Sequence, residues 1–371
     1  MGITFELNTE ILTPVVSRLL GDNSAKPTYF EIKALKPGAG NPTSLGVYRV
    51  SGSAATADGA KPFSVVVKHL ADGRPIMDAS GIDTWNYYLR EIDFFESELV
   101  SRLPAGLDFP AYLGQTKLED GTYLFWNGDL GDIGETKWTW DDCLHAARMA
   151  ARVNSVSLEN TTHHRWLNRD QFGGWLEFRP WIVLPSHDKL VEAAEANPDT
   201  AADLAVYGKY LLKQVELNQV LQSQRQVFSH GDFNLNNLVP ARANRNLISL
   251  DWQLVGSGAI GGEIASIFNT AFELGVIEPS VALLDELCEA YQAEFNALNP
   301  EAPVTMRELR LVAATQAYTI QCFFAFIGCM PEPDKTEEEN NAKYATVAAS
   351  NVSRVLTLHA GILDELGVLQ V

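Results

Sequence analysis

The chain has 371 residues, enough for two lobes around an ample core, and its 46% apolar and 20% charged residues are ordinary for a soluble globular protein. A formal net charge of −19 sets the surface against nucleic acid and anionic lipid headgroups and suits a neutral or cationic small molecule. The four cysteines, Cys143, Cys288, Cys322 and Cys329, form no CxxC pair, which excludes the common zinc patterns and leaves reduced structural thiols in a cytoplasmic protein.

Residues 1–10 carry two acids and no basic stretch, so no signal peptide is expected there. Residues 8–21 have the apolar spacing of a first helix, with Asn8 or Thr9 as cap. Residues 29–35 and 47–51 form strands around the turn-rich segment 36–46. After a small-residue loop at 52–61, residues 62–70 form a third strand dense in β-branched side chains. This order predicts an antiparallel sheet with hairpin links. Trp85, Tyr88, Leu89, Ile92, Phe95 and Leu99 recur at helical spacing and predict a helix over 84–102. Two more strands follow at 109–114 and 122–126.

The Gly- and Asp-rich stretch 127–134 breaks both periodicities and divides the chain into a β-rich lobe, 1–127, and an α-rich lobe, 128–371. Helical patterns cover 139–156, 187–196, 199–224, 279–297, 305–329 and 339–366. Short β runs at 226–229 and 246–250 interrupt them. The most apolar stretch, 311–330, is broken by Gln316, Thr319 and Gln321 and reads as a buried helix rather than a membrane span. Residues 331–341 read as an acidic surface loop.

The chemistry concentrates between the two short β runs. Residues 230–237 read His-Gly-Asp-Phe-Asn-Leu-Asn-Asn, and Leu-Asp-Trp-Gln stands at 250–253. A loop leaving one strand and an acid ending the next can present Asp232 to a substrate hydroxyl, while Asn237 and Asp251 hold Mg²⁺ against nucleotide phosphates. A polar turn is the competing reading of Asp232 and Asn237, and a cap that of Asp251. His230 is expected to brace the loop rather than react.

In the first lobe Lys68 ends an apolar strand. It is either edge decoration or a charge turned inward toward phosphates, with Glu91 on the next helix as its partner. The 41–46 loop can cover phosphates with backbone N–H groups and the Thr43 and Ser44 hydroxyls, although a plain hairpin loop competes. Adjacent His163 and His164 would point apart on a helix and read as surface residues, not ligands. The aromatic residues Trp138, Trp140, Trp166, Trp175, Phe178 and Trp181 fit inter-helix packing better than a box for a quaternary ammonium group.

With these residues in place, the chain resembles the aminoglycoside phosphotransferase and choline kinase superfamily over about residues 30–270. The resemblance is carried by His230-Gly-Asp232, Asn237 and Leu250-Asp251-Trp-Gln. Val67-Lys68 and Arg90-Glu91-Ile-Asp-Phe-Phe support it. It implies an α+β, two-lobed protein-kinase-like fold, with a small antiparallel β lobe and a larger α-helical one. It implies ATP as co-substrate and Mg²⁺, Asp232 as catalytic base, Asn237 and Asp251 as metal ligands, Lys68 and Glu91 as the phosphate-binding pair, and 124–130 as the adenine hinge. The acceptor would be a small-molecule alcohol, with no nucleic-acid or membrane partner. A nucleotide-binding module without turnover is the alternative. Gly262-Glu263-Ile264-Ala265 and Asn154 depart from the family, which often has Asp-Leu-Ala and His at those places.

Overall fold

The computed structural model describes residues 5–35, 43–72, 86–133, 137–159, 161, 163–170, 173, 213–241, 246–329, 336 and 351–368. The expected helix at 187–196, most of that at 199–224, the start of that at 339–366, nearly all of the 331–341 loop, and Asn41, Pro42, Trp85, Trp175, Phe178 and Trp181 lie outside the described residues.

The chain opens with helix α1, Thr9–Leu20. Asn8 Oδ1 accepts the Ile11 N–H at its start, and Gly21, in the left-handed region at φ 63°, closes it. Strands β1 (Lys26–Leu35), β2 (Ser44–Thr56) and β3 (Gly59–Leu70) follow, then β4 (Leu107–Asp108), β5 (Tyr112–Lys117) and β6 (Tyr123–Gly128). Five of them form one antiparallel sheet in the order β1-β2-β3-β6-β5. The small-residue stretch 52–61 is therefore not a loop. Ala55 pairs with Ala60 and Thr56 with Gly59, so the hairpin turns tightly at Ala57-Asp58.

The two faces of this sheet separate core from cleft. Tyr48, Val50, Val65 and Val67 are buried against Leu12, Val15 and Val16 of α1. Side chains alternate along a strand, so Lys68 emerges on the opposite face, away from α1. The adjacent His69 is buried on the α1 side, where its Nε2 lies 2.8 Å from the Thr122 hydroxyl.

The helix expected over 84–102 is shorter and broken. Helix α2 covers Arg90–Phe95, and a 3-10 turn covers Glu98–Arg102. Ser97 divides them: its Oγ accepts the Leu99 N–H, a local bond that competes with a continuous helix.

The second lobe begins with α3, Trp140–Asn154, whose capping box joins Thr139 and Asp142. It continues through α4 (Gln214–Ser223), β7 (Gln226–Ser229), β8 (Leu238–Ala241), β9 (Asn246–Ser249) and β10 (Gly256–Ala259). Helices α5 (Gly262–Glu273), α6 (Val281–Leu298), α7 (Met306–Cys329) and α8 (Asn351–Glu365) follow. β10 pairs with β7, and β4 joins β9 and β8 in a three-stranded sheet, so the linker before the first lobe's last strands is pinned to the second lobe. No described helix is long and apolar enough to cross a membrane.

Candidate active site

Two tight turns and a short helix bring the polar residues together. β7 ends at Ser229, and the chain turns at Gly231, whose φ is 82°. An added Cβ there would collide with the Leu254 carbonyl, so only glycine lets the loop lie this close to the 251–254 turn. His230 is fully buried between these segments. Its Nε2 donates to the Leu250 carbonyl at 3.0 Å, and its Nδ1 accepts the Asp232 N–H at 3.2 Å. Burial lowers its pKa to about 4, so the ring is neutral, the form this donor-acceptor pairing requires. His230 is thus a brace between the Asp232 loop and the strand that ends at Asp251.

The Asp232 carboxylate is held from both sides. Asn234 Nδ2 donates to Oδ1 at 2.7 Å, and Asn237 Nδ2 donates to Oδ2 at 2.8 Å and to the Asp232 carbonyl at 3.0 Å. Burial, aided by the nearby Asp251 charge, raises its pKa to about 6 despite these bonds. A carboxylate so placed is ionised at neutral pH yet more basic than an exposed aspartate. Asn234 was not among the expected site residues. Its signal was present in the motif, since an Asx residue two positions after Asp232 can reach back to it.

Lys68 crosses the cleft. Its Nζ lies 2.7 Å from Glu91 Oε2 and 2.8 Å from Asp251 Oδ1. Burial works against the ammonium charge, but the two carboxylates outweigh it and hold the pKa above the usual lysine value. Burial likewise works against ionised Asp251, whose pKa Lys68 nevertheless holds below the usual value, while burial raises that of Glu91. The second oxygen of Glu91 accepts the Trp252 N–H at 3.1 Å. One glutamate therefore orients the lysine from the first lobe and fixes the turn that carries Asp251.

Asp251 has φ 59° and ψ 66°, the only described non-glycine residue with positive φ. Its side chain is 39% exposed beside Lys68. The left-handed backbone, tolerated best by Gly, Asn and Asp, turns the carboxylate away from its own strand. Trp252 follows, buried and stacked on Phe94 of α2 with ring centroids 4.5 Å apart. Arg90, fully buried on the same helix, donates to the Trp166 carbonyl at 2.5 Å and to the Gln253 carbonyl at 3.0 Å. Helix α2 thus belongs to the junction of the lobes.

Behind the loop lies a second polar layer. Glu263 of α5 accepts from Ser229 Oγ at 2.6 Å and from Asn154 Nδ2 at 3.1 Å, and Asn154 Oδ1 accepts from the Tyr291 hydroxyl at 2.5 Å. Ser229 Oγ accepts the Gly231 N–H at 3.0 Å, so this layer reaches the turn before Asp232. Glu263 and Asn154, the two departures noted in the sequence, are partners in one buried network.

The phosphate-cover expectation needs correction at the two hydroxyls. Thr43 is fully buried, and its Oγ1 accepts from Gln253 Nε2, which makes it a tie between the lobes. Ser44 Oγ is buried in β2 with no hydrogen-bond partner. Neither hydroxyl is turned to open space over the cleft. The three described tryptophans of the aromatic group pack as expected. Trp166 is buried in the core, and Trp138 and Trp140 lie partly buried against it.

For Mg²⁺, the donor set is chemically suited. The partly exposed Asp251 carboxylate and the Asn237 side-chain oxygen are hard oxygen donors that would hold such a cation, and the Asn237 amide nitrogen donates to Asp232.

Solved structures share this fold. Spectinomycin phosphotransferase, in a structure holding ADP and spectinomycin, matches over 96% of this chain and 99% of its own, with a TM-score of 0.54 and 11% identity. A microcompartment-associated aminopropanol kinase matches over 98% and 99%, with a TM-score of 0.54 and 12% identity. The chain has the protein-kinase-like fold of these two small-molecule kinase structures. No protein-family model and no curated protein matches it. In this fold the five-stranded sheet forms the smaller lobe, and the helical lobe carries the loop with Asp232.

Proposed function

We propose that the chain is a small-molecule kinase that transfers the γ-phosphate of ATP to an alcohol. The observation that carries this reading is the double ion pair of Lys68, which joins Glu91 and Asp251 across the cleft at 2.7 and 2.8 Å. Structural decoration does not require a lysine turned inward to two acids from different lobes. A site for a triphosphate and its cation does, because the ammonium can move onto phosphate oxygens while Asp251 takes up the metal.

The roles then divide by chemistry. Lys68 contacts phosphate oxygens, and Glu91 keeps it in place. Asp251 and Asn237 would hold Mg²⁺, which when bound neutralises phosphate charge. Asp232 accepts the proton of the acceptor hydroxyl as its oxygen bonds to the γ-phosphorus and the bond to the β,γ-bridging oxygen breaks. Asn234 and Asn237 orient that carboxylate, and its pKa of about 6 makes it a competent base at neutral pH. Most of the rate enhancement rests on positioning and charge neutralisation. The net charge of −19 favours an amine-bearing acceptor, and the two matched kinases are named for spectinomycin and aminopropanol, both amino alcohols.

The test is ATP consumption against a library of amino alcohols, sugars and other hydroxyl compounds, with mass detection of the phosphorylated product. Product formation that disappears in Asp232→Ala supports the kinase. Nucleotide-dependent thermal stabilisation with no product from any alcohol supports a binding module instead.

A further inference from the structure

Away from the cleft, one side-chain cluster plays no part in phosphoryl transfer. Glu98 stands in the 3-10 turn after α2, and His163 and His164 stand in the segment after α3. Glu98 Oε1 lies 3.0 Å from His164 Nε2 and 3.9 Å from His163 Nε2. All three ligand atoms fall within 4.8 Å of one another, the only such group among the described residues. The expectation that adjacent histidines point apart fails because this segment is a turn. The Arg165 N–H bonds back to the His163 carbonyl and the Leu167 N–H to the His164 carbonyl, and the two rings come to 3.9 Å between centroids.

We propose that Glu98, His163 and His164 form a binding site for a borderline divalent cation, Zn²⁺ foremost, with water completing the coordination. Two imidazole nitrogens and a carboxylate oxygen are a donor set that zinc favours. Ligand atoms held about 2.0–2.1 Å from a tetrahedral zinc ion lie roughly 3.3–3.4 Å apart, so the two measured separations bracket that edge. His164 is buried beside Trp166, with centroids 5.1 Å apart, which fixes one ligand. His163 and Glu98 are exposed and can adjust. Arg102 competes for Glu98: its guanidinium lies 3.1 Å from the same oxygen in an exposed i,i+4 pair, the weakest kind of ion pair.

A cation here would join the turn after α2 to the turn carrying Trp166, whose carbonyl already holds Arg90. It would brace the α2 segment on the second lobe from outside the cleft. The inference stands apart from the kinase reading and does not need it.

The test uses the full chain in buffer with saturating Mg²⁺, which fills oxygen-only sites. Zn²⁺ is titrated by calorimetry and Co²⁺ by visible absorption. The expected result is one equivalent bound, an intense Co²⁺ d–d band of four-coordinate character that Zn²⁺ displaces, and a melting temperature raised by Zn²⁺. His163→Ala and Glu98→Gln, both at exposed positions, should weaken binding about tenfold or more and remove the thermal shift. Arg102→Gln should tighten binding. Absence of stoichiometric binding, or binding that both ligand variants leave unchanged, overturns the proposal.

Discussion

Glu91 holds Lys68 with one carboxylate oxygen and the backbone N–H of Trp252 with the other, so the residue that aims the lysine also sets the turn at Asp251. Glu91→Gln keeps an oxygen for the Trp252 N–H but removes the charge that orients Lys68. The expected outcome is a fall in kcat/KM for ATP of about 10–100-fold, each decade being about 1.4 kcal/mol of transition-state stabilisation. Glu91→Ala should lose more, because the turn loses its acceptor as well. Steady-state kinetics at varied ATP decide this, and parental values in the Gln variant would refute the assigned role.

Asp232 should leave its mark on the pH profile. With its pKa raised to about 6, the base is protonated below that value, so turnover should fall as pH drops through about 6 and level off above it. Stability runs the other way. The native state binds this proton more tightly than the unfolded chain, so between the ordinary aspartate value of 3.8 and about 6 a rising pH removes stability, and the ionised group is a net cost at neutral pH. Asp232→Asn should therefore lower kcat by about two to four decades while its melting temperature at neutral pH stays at or above that of the parent. A large loss of melting temperature would show that the carboxylate is structural.

The left-handed backbone of Asp251 separates its two contributions. Asp251→Asn tolerates φ 59° and should keep the fold, yet it should lose most Mg²⁺-dependent affinity for ATP because the ionised oxygen is gone. Asp251→Ala should lose that affinity and also about 1 kcal/mol or more of stability from backbone strain. Isothermal titration with and without Mg²⁺, paired with denaturant melts, distinguishes these effects. Equal ATP affinity in the Asn variant would exclude Asp251 as the metal ligand.

Gly231→Ala is predicted to be among the most damaging small substitutions in the chain. The methyl group would meet the Leu254 carbonyl at a residue whose φ is 82°, so strain and steric overlap add. The expected loss is about 2–3 kcal/mol of stability together with most of the activity. An alanine variant with parental melting and turnover would mean that this turn is far looser than it looks.

Much of this architecture can be read from pattern. The β-branched run at 62–70, the short apolar runs at 226–229 and 246–250 and the spacing from His230 to Asp251 carry strong local signals, and the structure places strands at all three runs. Helix α5 was passed over although Glu263, Ser266, Asn269 and Thr270 recur at helical spacing, because this polar face is buried in the protein rather than turned to solvent. β10 is Gly-Ser-Gly-Ala, with no β-branched residue, and forms only because β7 pairs with it. The misreading of Thr43 has a similar origin. A threonine in a turn-rich loop gives no hint that Gln253, more than 200 residues away, will cap its hydroxyl. Glu263 was visible only as a departure, because its Ser229 and Asn154 partners meet it through tertiary packing alone.

That buried layer behind the Asp232 loop gives the loop's shape a distant origin. Tyr291, Asn154 and Glu263 come from three different helices, and through Ser229 they support the bend at Gly231. The loop's shape therefore depends on the docking of α3, α5 and α6 against one another. Slight loosening among those helices should silence turnover well before any global melting is detectable.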